Sequence, residues 1–508
     1  MKRIGLIDIG SNTIRLVIFE FDKKTGLDEV LNIKTPARLS QYLTNDLTMT
    51  QEGIEVLTTT LSSFKRVSDK FATDELHPIA TAAIRQSTNR DDIIKHIEQQ
   101  LNITMRIIPE ESEAFYGYYA ITHTTNISDG ISVDIGGGST EVTLFKDKQL
   151  KAAHSFPFGV VTLTKKFFSD KPHNDKHAIK DMEKFLIKQF SQLDWLNDAQ
   201  VALVGVGGSA RNVARIHQSA HDYPIGGVHN YSMSAKDVEE VFSLIKKSSR
   251  DELKDVDGLS GDRIDIILPA VAVFKNLFTK INATQFTFSR KGLREGYVMH
   301  LISEQFPDQF NKENIRQDAL YHLANEYKIE EKSAKQRVKL ALSLLNQLIE
   351  TKHLDISKTD KRLFAEGSYL YYLGSFINAD SSSPHTYYII ANSMIEGFTH
   401  QERVKLALLA SFKNKSLMKF YSHETKWLVQ NELDTIQSLG GIIKFINALN
   451  ISQTNVVDRI YLKKEKGDYT LYVFYEGEPV AEEYQANRQK KHIEKILKDK
   501  LSINFTRA

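Results

Sequence analysis

A motif occurs twice in this chain. Asp8-Ile9-Gly10 runs on through an apolar stretch to Phe19, and Asp134-Ile135-Gly136 runs on in the same way to Phe145, at a constant offset of 126 residues. A duplicated strand–loop–strand unit predicts two lobes that open with the same hairpin, and it sets two loops face to face across an interlobe cleft. The first 300 residues fit that plan. Runs of period two ("RIGLIDIG", "TIRLVIFEF", "PIATAAI", "ISVDIGG", "EVTLF", "VALVGVGG") alternate with helical stretches at residues 91–101 and 235–247, the pattern of α/β layers.

The chain has 508 residues, more than one core accommodates. Four domains are expected: lobes at 1–125 and 126–307, an all-helical domain at 308–444 and a small α+β domain at 445–508. Beyond about residue 308 the texture becomes Lys, Glu, Gln and Leu at helical spacing, as in "KSAKQRVKLALSLLNQLIE". The last segment reads as a hairpin turning at Lys466 to Asp468, followed by a helix over 488–500. That helix carries Arg488, Lys490, Lys491, Lys495, Lys498 and Lys500 against Glu494 and Asp499, which is either a solvated face or a track for a polyanion.

The 66 Lys and Arg balance 64 Asp and Glu, so any anion site is a local basic patch. Cysteine is absent, which excludes disulfides and thiolate chemistry. Asp8 interrupts the first apolar run before a signal peptide would be complete, and the longest apolar run is far short of a membrane span. A cytoplasmic protein is the expectation.

The two loops suit phosphate. Glycine admits positive φ and lets backbone N–H groups approach a ligand, so Gly136, Gly137 and Gly138 can form an anion nest, with Ser139 adding a hydroxyl. Ser11 and Asn12 do similar work beside Gly10. Either loop alone reads equally well as a tight hairpin turn; duplicated and flanked by Asp, the pair favours phosphate. Carboxylates beside such a nest imply a cation between them, and Asp134, Glu141 and Asp8 can hold Mg²⁺ (or Mn²⁺).

The segment "IIPEESEAFYG" starts a helix at Pro109 and offers Glu110, Glu111 and Glu113 as bases, among which residue chemistry alone does not choose. Arg85 is expected to close a strand, where its guanidinium can grip phosphate oxygens or pair with Asp91 or Asp92. Arg15 reads as structural. Gly205, Gly207, Gly208 and Ser209 form a strand-to-helix turn that serves either a nucleotide or close packing.

Together the two "DIG" loops, "VGVGGSARNVARI" at 204–216 and "GLREG" at 292–296 resemble the exopolyphosphatase and guanosine pentaphosphatase (Ppx/GppA) family. That family belongs to the actin, sugar kinase and heat-shock chaperone superfamily, with two ribonuclease-H-like lobes. "IATAAIRQSTN", "FGVVTLTKKF" and "GLSGDRIDIILPAVAVF" support the likeness. Arg38-Leu39 departs from it, being followed by Ser40-Gln41-Tyr42 where the family commonly has Gly-Glu-Gly. Ser289-Arg290-Lys291 stands where an acidic residue often precedes "GLREG".

The resemblance selects Glu113 as the catalytic base and tips Arg85 toward substrate. It implies an exopolyphosphatase that removes terminal phosphate from inorganic polyphosphate, acting as a homodimer without membrane or specific nucleic-acid partners. Guanosine pentaphosphate 5'-phosphohydrolase is the nearer alternative, and a kinase or nucleotide-binding regulatory module the further one. The helical region is similar to a metal-dependent phosphohydrolase (HD-like) module, but Tyr371 and Tyr372 stand where its His-Asp pair would fall, and His385 reads as a packing residue.

Overall fold

The computed structural model describes residues 1–465 and 467–508; Lys466, in the expected C-terminal turn, lies outside them. The chain divides into two compact units, Met1–Tyr223 with Val228–Asp318, and Pro224–Gly227 with Ala319–Ala508.

The first unit contains two sheets built alike. One comprises β1 (Lys2–Ile9), β2 (Ile14–Asp22), β3 (Gly26–Thr35), β4 (Glu75–Ala80) and β5 (Arg106–Ile107) in the order β3-β2-β1-β4-β5. The other comprises β6 (Gly130–Ile135), β7 (Thr140–Lys146), β8 (Gln149–Phe156), β9 (Ala202–Val206), β10 (Tyr231–Met233) and β11 (Phe286–Phe288) in the order β10-β11-β9-β6-β7-β8. In each, an antiparallel trio continues into two parallel strands. The sequence repeat is therefore one of whole ribonuclease-H-like lobes, with β10 added to the second.

Side-chain alternation decides what each lobe offers the cleft. On β1 and β2, Ile7, Ile9, Leu16 and Ile18 enter one core with Leu57, Leu61, Ile93 and Ile97. Ile4, Leu6, Val17 and Phe19 face the opposite way, onto Val298 and Ile302 of the helix Leu293–Gln305. Asp8 and Arg15 share the parity of this second set. In the other lobe Ile131, Val133, Val142 and Leu144 fill the main core, leaving Asp134 and Glu141 on the face where Phe145 and Val206 meet Tyr118 and Ile121 of the helix Glu110–Thr124. The four polar positions thus lie on the faces covered by two helices that cross tightly: a Cβ on Gly296 would sit 1.9 Å from the Tyr116 carbonyl oxygen.

Two local expectations change. The strand through "PIATAAI" stops at Ala80, and Ala82–Arg85 forms a single helical turn in which the Arg85 amide donates to Thr81 O at 3.0 Å. Arg85 therefore ends a helical turn and not a strand, because Ala-Ala-Ile is as compatible with helix as with strand once the sheet ends. The basic C-terminal helix is also interrupted, giving Val480–Gln489 and Lys491–Leu497, with Lys498 in the left-handed region.

The second unit is helical from Glu331–Glu350 to Gln430–Ala448, followed by a sheet of β12 (Val457–Glu465), β13 (Asp468–Tyr475) and β14 (Leu501–Arg507). β14 pairs parallel to β13. Within this unit Tyr371 and Tyr372 stack at 4.2 Å, the Tyr371 hydroxyl donates to Phe412 O, and the buried Arg337 guanidinium donates to Ser368 O, Tyr369 O and Asn447 Oδ1. Among the described residues no cluster of His and carboxylates able to hold a metal lies in this unit. Nor does any described helix have the length and apolarity to cross a membrane.

Candidate active site

The two repeated loops close with the same bond. The Gly10 amide donates to Thr13 O at 3.1 Å and the Gly136 amide to Ser139 O at 2.9 Å. Each loop is also held from outside. Ser40 and Arg38 amides donate to the carbonyls of Ser11 and Asn12, while Val160 and Val161 amides, opening the helix Val160–Phe168, donate to those of Gly136 and Gly137. The substituted sequence Ser40-Gln41-Tyr42 forms a short 3₁₀ turn that keeps this contact.

With their carbonyls so engaged, the amides of Gly137 and Gly138 have no protein acceptor among the described residues. They are the donors an anion nest needs. Positive φ plays no part, since Gly10, Gly136, Gly137 and Gly138 all have ordinary φ. Space is tight only at the first glycine of each loop, where a Cβ on Gly10 would lie 3.1 Å from Thr13 O and one on Gly136 3.3 Å from Ser139 O. A Cβ on Gly137 would lie 3.9 Å from Ser11 Cβ, so the two loops do face each other, and one on Gly159 would lie 2.4 Å from Gly136 O. A Cβ on Gly138 meets nothing within 4 Å.

Glu113 sits in the first turn of its helix with Arg85 Nη1 donating to its Oε2 at 3.0 Å. The same guanidinium donates to Ile108 O and Glu110 Oε1, and does not reach Asp91 or Asp92. Burial and the neighbouring Glu141 charge push the Glu113 carboxyl up to about 8, with Arg85 opposing. Glu141, only 6% exposed, is raised to about 7 by burial, with the Asp134 charge adding to it. Ser139 and Ser155 hydroxyls oppose this by donating to it. Burial likewise raises Asp134 and Asp8, opposed chiefly by Arg294, whose Nη1 stands 3.6 Å from Asp8 Oδ2. Glu111 is exposed.

The glycine turn after β9 has divided roles. Gly205 is packed under Phe286, where a Cβ would come within 2.7 Å of the ring. Gly207, at φ +80°, abuts Asp134 Oδ1, and the face of Gly208 is covered by the Arg263 guanidinium, 2.1 Å from a hypothetical Cβ. Arg263 Nη1 also donates to Ser209 Oγ at 3.1 Å. Its loop is fixed by Asn212 Oδ1, which accepts from the amide and hydroxyl of Ser260. Arg263 is thus delivered to the turn by a loop more than fifty residues away in sequence.

Arg263 belongs to a group of cations of which the motifs singled out only Arg15, as a structural residue. Burial and the charges of Arg15, Arg215, Arg263 and Arg294 together lower Arg211 to about 10. Burial lowers Arg15 and Arg263 as well. Arg211 and Arg215 lie one turn apart on the helix Gly207–Ala220. The signal was available in the spacing "SARNVAR" and in "GDRI". Arg290, by contrast, is engaged by Glu29 at 2.9 Å.

The oxygen donors fit a hard divalent cation. Among the described residues no three of Asp8, Glu113, Asp134 and Glu141 bring oxygens within 4.8 Å of one another. This suits an ion such as Mg²⁺ that keeps its waters and takes one or two carboxylates plus phosphate oxygens.

A relative from Photobacterium profundum, named Guanosine-5'-triphosphate,3'-diphosphate pyrophosphatase, is 24% identical over 426 residues, covering 80% of this chain and 80% of its own length. A crystal structure of the Aquifex aeolicus Ppx/GppA family member shares 24% identity and superposes with a TM-score of 0.53 over 60% of this chain and 99% of that one. An exopolyphosphatase from Cytophaga hutchinsonii shares 22% at the same TM-score, over 60% of this chain and 98% of its own. These structures share the fold. The Ppx/GppA phosphatase family matches residues 17–305 and its domain III matches residues 315–471, so the chain belongs to the Ppx/GppA phosphatase family, enzymes that hydrolyse phosphoanhydride bonds.

Proposed function

We propose that the enzyme is an exopolyphosphatase, releasing terminal orthophosphate from inorganic polyphosphate. The observation that carries this reading is the gathering of Arg15, Arg215, Arg263 and Arg294 around Arg211, which burial first and their charges next lower to about 10. The carboxylates of Asp8, Asp134, Glu29 and Glu295 offset part of this charge, and a polyphosphate chain, charged at every unit, suits the remainder.

The terminal phosphoryl group lies against the Gly136, Gly137, Gly138 and Ser139 loop, with Ser11 and Asn12 opposite. Arg85 neutralises charge on its non-bridging oxygens. Water attacks phosphorus, Glu113 accepts the water's proton at a carboxylate oxygen, and the bond to the bridging oxygen breaks, leaving a chain one phosphate shorter. Asp134, Glu141 and Asp8 would hold a divalent cation, Mg²⁺ or Mn²⁺, which when bound would supply charge neutralisation and favour the ionised form of neighbouring carboxyls. Glu113, raised to about 8 first by burial, would be ionised and able to act as a base near neutral pH with such a charge held beside it.

The alternative is 5'-phosphate removal from guanosine pentaphosphate in the same cleft, favoured by the name of the Photobacterium profundum relative. Comparison of kcat/KM for long polyphosphate, short polyphosphate, guanosine pentaphosphate and ATP decides between them. Preference for long polyphosphate supports the proposal, and preference for guanosine pentaphosphate replaces it with the alternative.

A further inference from the structure

The helix that presents Gly207 and Gly208 to the cleft carries a second set of polar groups at its other end. His217 and His221 are one turn apart on Gly207–Ala220 and just beyond it, on one side of the helix, their rings 4.3 Å apart. Glu240 projects toward them from the helix Ala235–Lys247, with its Oε1 3.1 Å from His221 Nε2. One ligand atom from each of His217, His221 and Glu240 lies within 4.8 Å of the others, and among the described residues no other His and carboxylate group meets this condition.

A second observation is independent of that spacing. His217 is 7% exposed, and its Nε2 is buried without a hydrogen-bond partner. Asp237 Oδ1 faces it at 3.5 Å, too far for a well-formed bond. Asp237 is fixed by its other oxygen, which caps its helix by accepting from the Ser234 amide at 2.7 Å. The opposite edge of the His217 ring is fixed too, with Nδ1 2.7 Å from the Tyr231 hydroxyl. An imidazole oriented through one nitrogen, with the other buried and facing only a carboxylate at 3.5 Å, is the arrangement of a metal-ligating histidine and its outer partner. A buried polar atom left unpaired is otherwise destabilising.

We propose that His217, His221 and Glu240, with Asp237 beside them, form a site for a first-row transition ion of the Zn²⁺ class, which clamps the end of the Gly207–Ala220 helix to the helix Ala235–Lys247. Two imidazoles and two carboxylates make a borderline-soft donor set that suits Zn²⁺ and discriminates against Mg²⁺, which prefers oxygen alone. Asp237 Oδ1, 3.5 Å from His217 Nε2, stands outside the group of three and would close the coordination sphere, as in a structural site, by moving in toward the ion. Ten residues separate Gly207 from His217, about 15 Å of helix, which sets this ion apart from the phosphate cleft. Ligand atoms around tetrahedral Zn²⁺ are about 3.3 Å apart, so the exposed His221 and Glu240 need only small side-chain rotations.

The test uses the full-length, untagged, metal-stripped protein. Co²⁺ titration should give one equivalent with the absorption bands of tetrahedral coordination, and Zn²⁺ should displace it and raise Tm, whereas Mg²⁺ should do neither. His221→Gln and Glu240→Gln, both at exposed positions where folding is not at stake, should each weaken Zn²⁺ binding at least about tenfold and abolish the Tm rise. Glu141→Gln, in the cleft, should leave Zn²⁺ affinity intact. Absence of a stoichiometric Co²⁺ signal, or Zn²⁺ affinity unchanged in both helix variants, overturns the proposal. So does loss of Zn²⁺ binding in Glu141→Gln alone, which assigns the ion to the cleft.

Discussion

Arg15 and Glu141 occupy the same place in the two repeats: Arg15 pairs across its hairpin with Asp8, and Glu141 across its own with Asp134. The repeat kept the aspartates and exchanged the charge of their partners, so one loop is flanked by a cation and the other by an acid. Replacing each by Ala should therefore have different effects. Arg15→Ala should raise KM for polyphosphate several-fold with little change in kcat, the mark of an interaction made equally in ground and transition states. Glu141→Ala should instead raise the Mg²⁺ concentration for half-maximal rate. Metal and substrate titrations of both variants check this, and a shared phenotype contradicts it.

Stability should fall with rising pH in the metal-free enzyme. Glu113 and Glu141 titrate at about 8 and about 7 in the fold against an ordinary value of 4.5. A carboxyl raised on folding contributes stability that is complete below its unfolded value and is lost as pH rises through the folded value. Tm without divalent cations should therefore decline between about pH 5 and about pH 8. Mg²⁺ should restore it most at the alkaline end. In Glu113→Gln the decline should be shallower; equal slopes in both proteins contradict the assignment.

The arginine group should set the salt dependence. Arg211→Ala with Arg215→Ala should weaken long polyphosphate binding and lower the slope of log affinity against log salt by roughly one unit per lost contact. Equilibrium binding at several salt concentrations gives the slope. An unchanged slope removes these residues from the substrate path.

Two glycines separate folding from function. An Ala Cβ at Gly159 would lie 2.4 Å from Gly136 O, so Gly159→Ala should cost about 1–3 kcal/mol and distort the loop. At Gly138 the space is open, and Gly138→Ala should melt like the parent protein while raising KM, because the methyl group intrudes on the anion nest. Thermal melts and kinetics of the pair distinguish the two roles.

Much of this arrangement is legible in the sequence because it is periodic. The 126-residue repeat and the alternation along β1, β2, β6 and β7 already put Asp8, Asp134 and Glu141 at loop edges, opposite the apolar cores. What is hidden comes from packing at long range. Arg263 reaches Gly208 only because Asn212 holds the Ser260 loop, and Arg85 turns toward Glu113 because the strand ends five residues before it. β14 is different: Leu501, Ile503 and Phe505 alternate as a strand should, but their partner β13 is set by parallel pairing across two helices, which no local pattern reveals.

Whether Glu113 takes the proton from the attacking water is decided by steady-state hydrolysis of long polyphosphate by Glu113→Gln. The isosteric amide keeps the packing and can still accept a hydrogen bond from Arg85. With Glu113 as the base, kcat should be lower by roughly 10² to 10⁴, KM within a few-fold of the parent and Tm undiminished. A kcat close to that of the parent enzyme, with the fold intact, contradicts it.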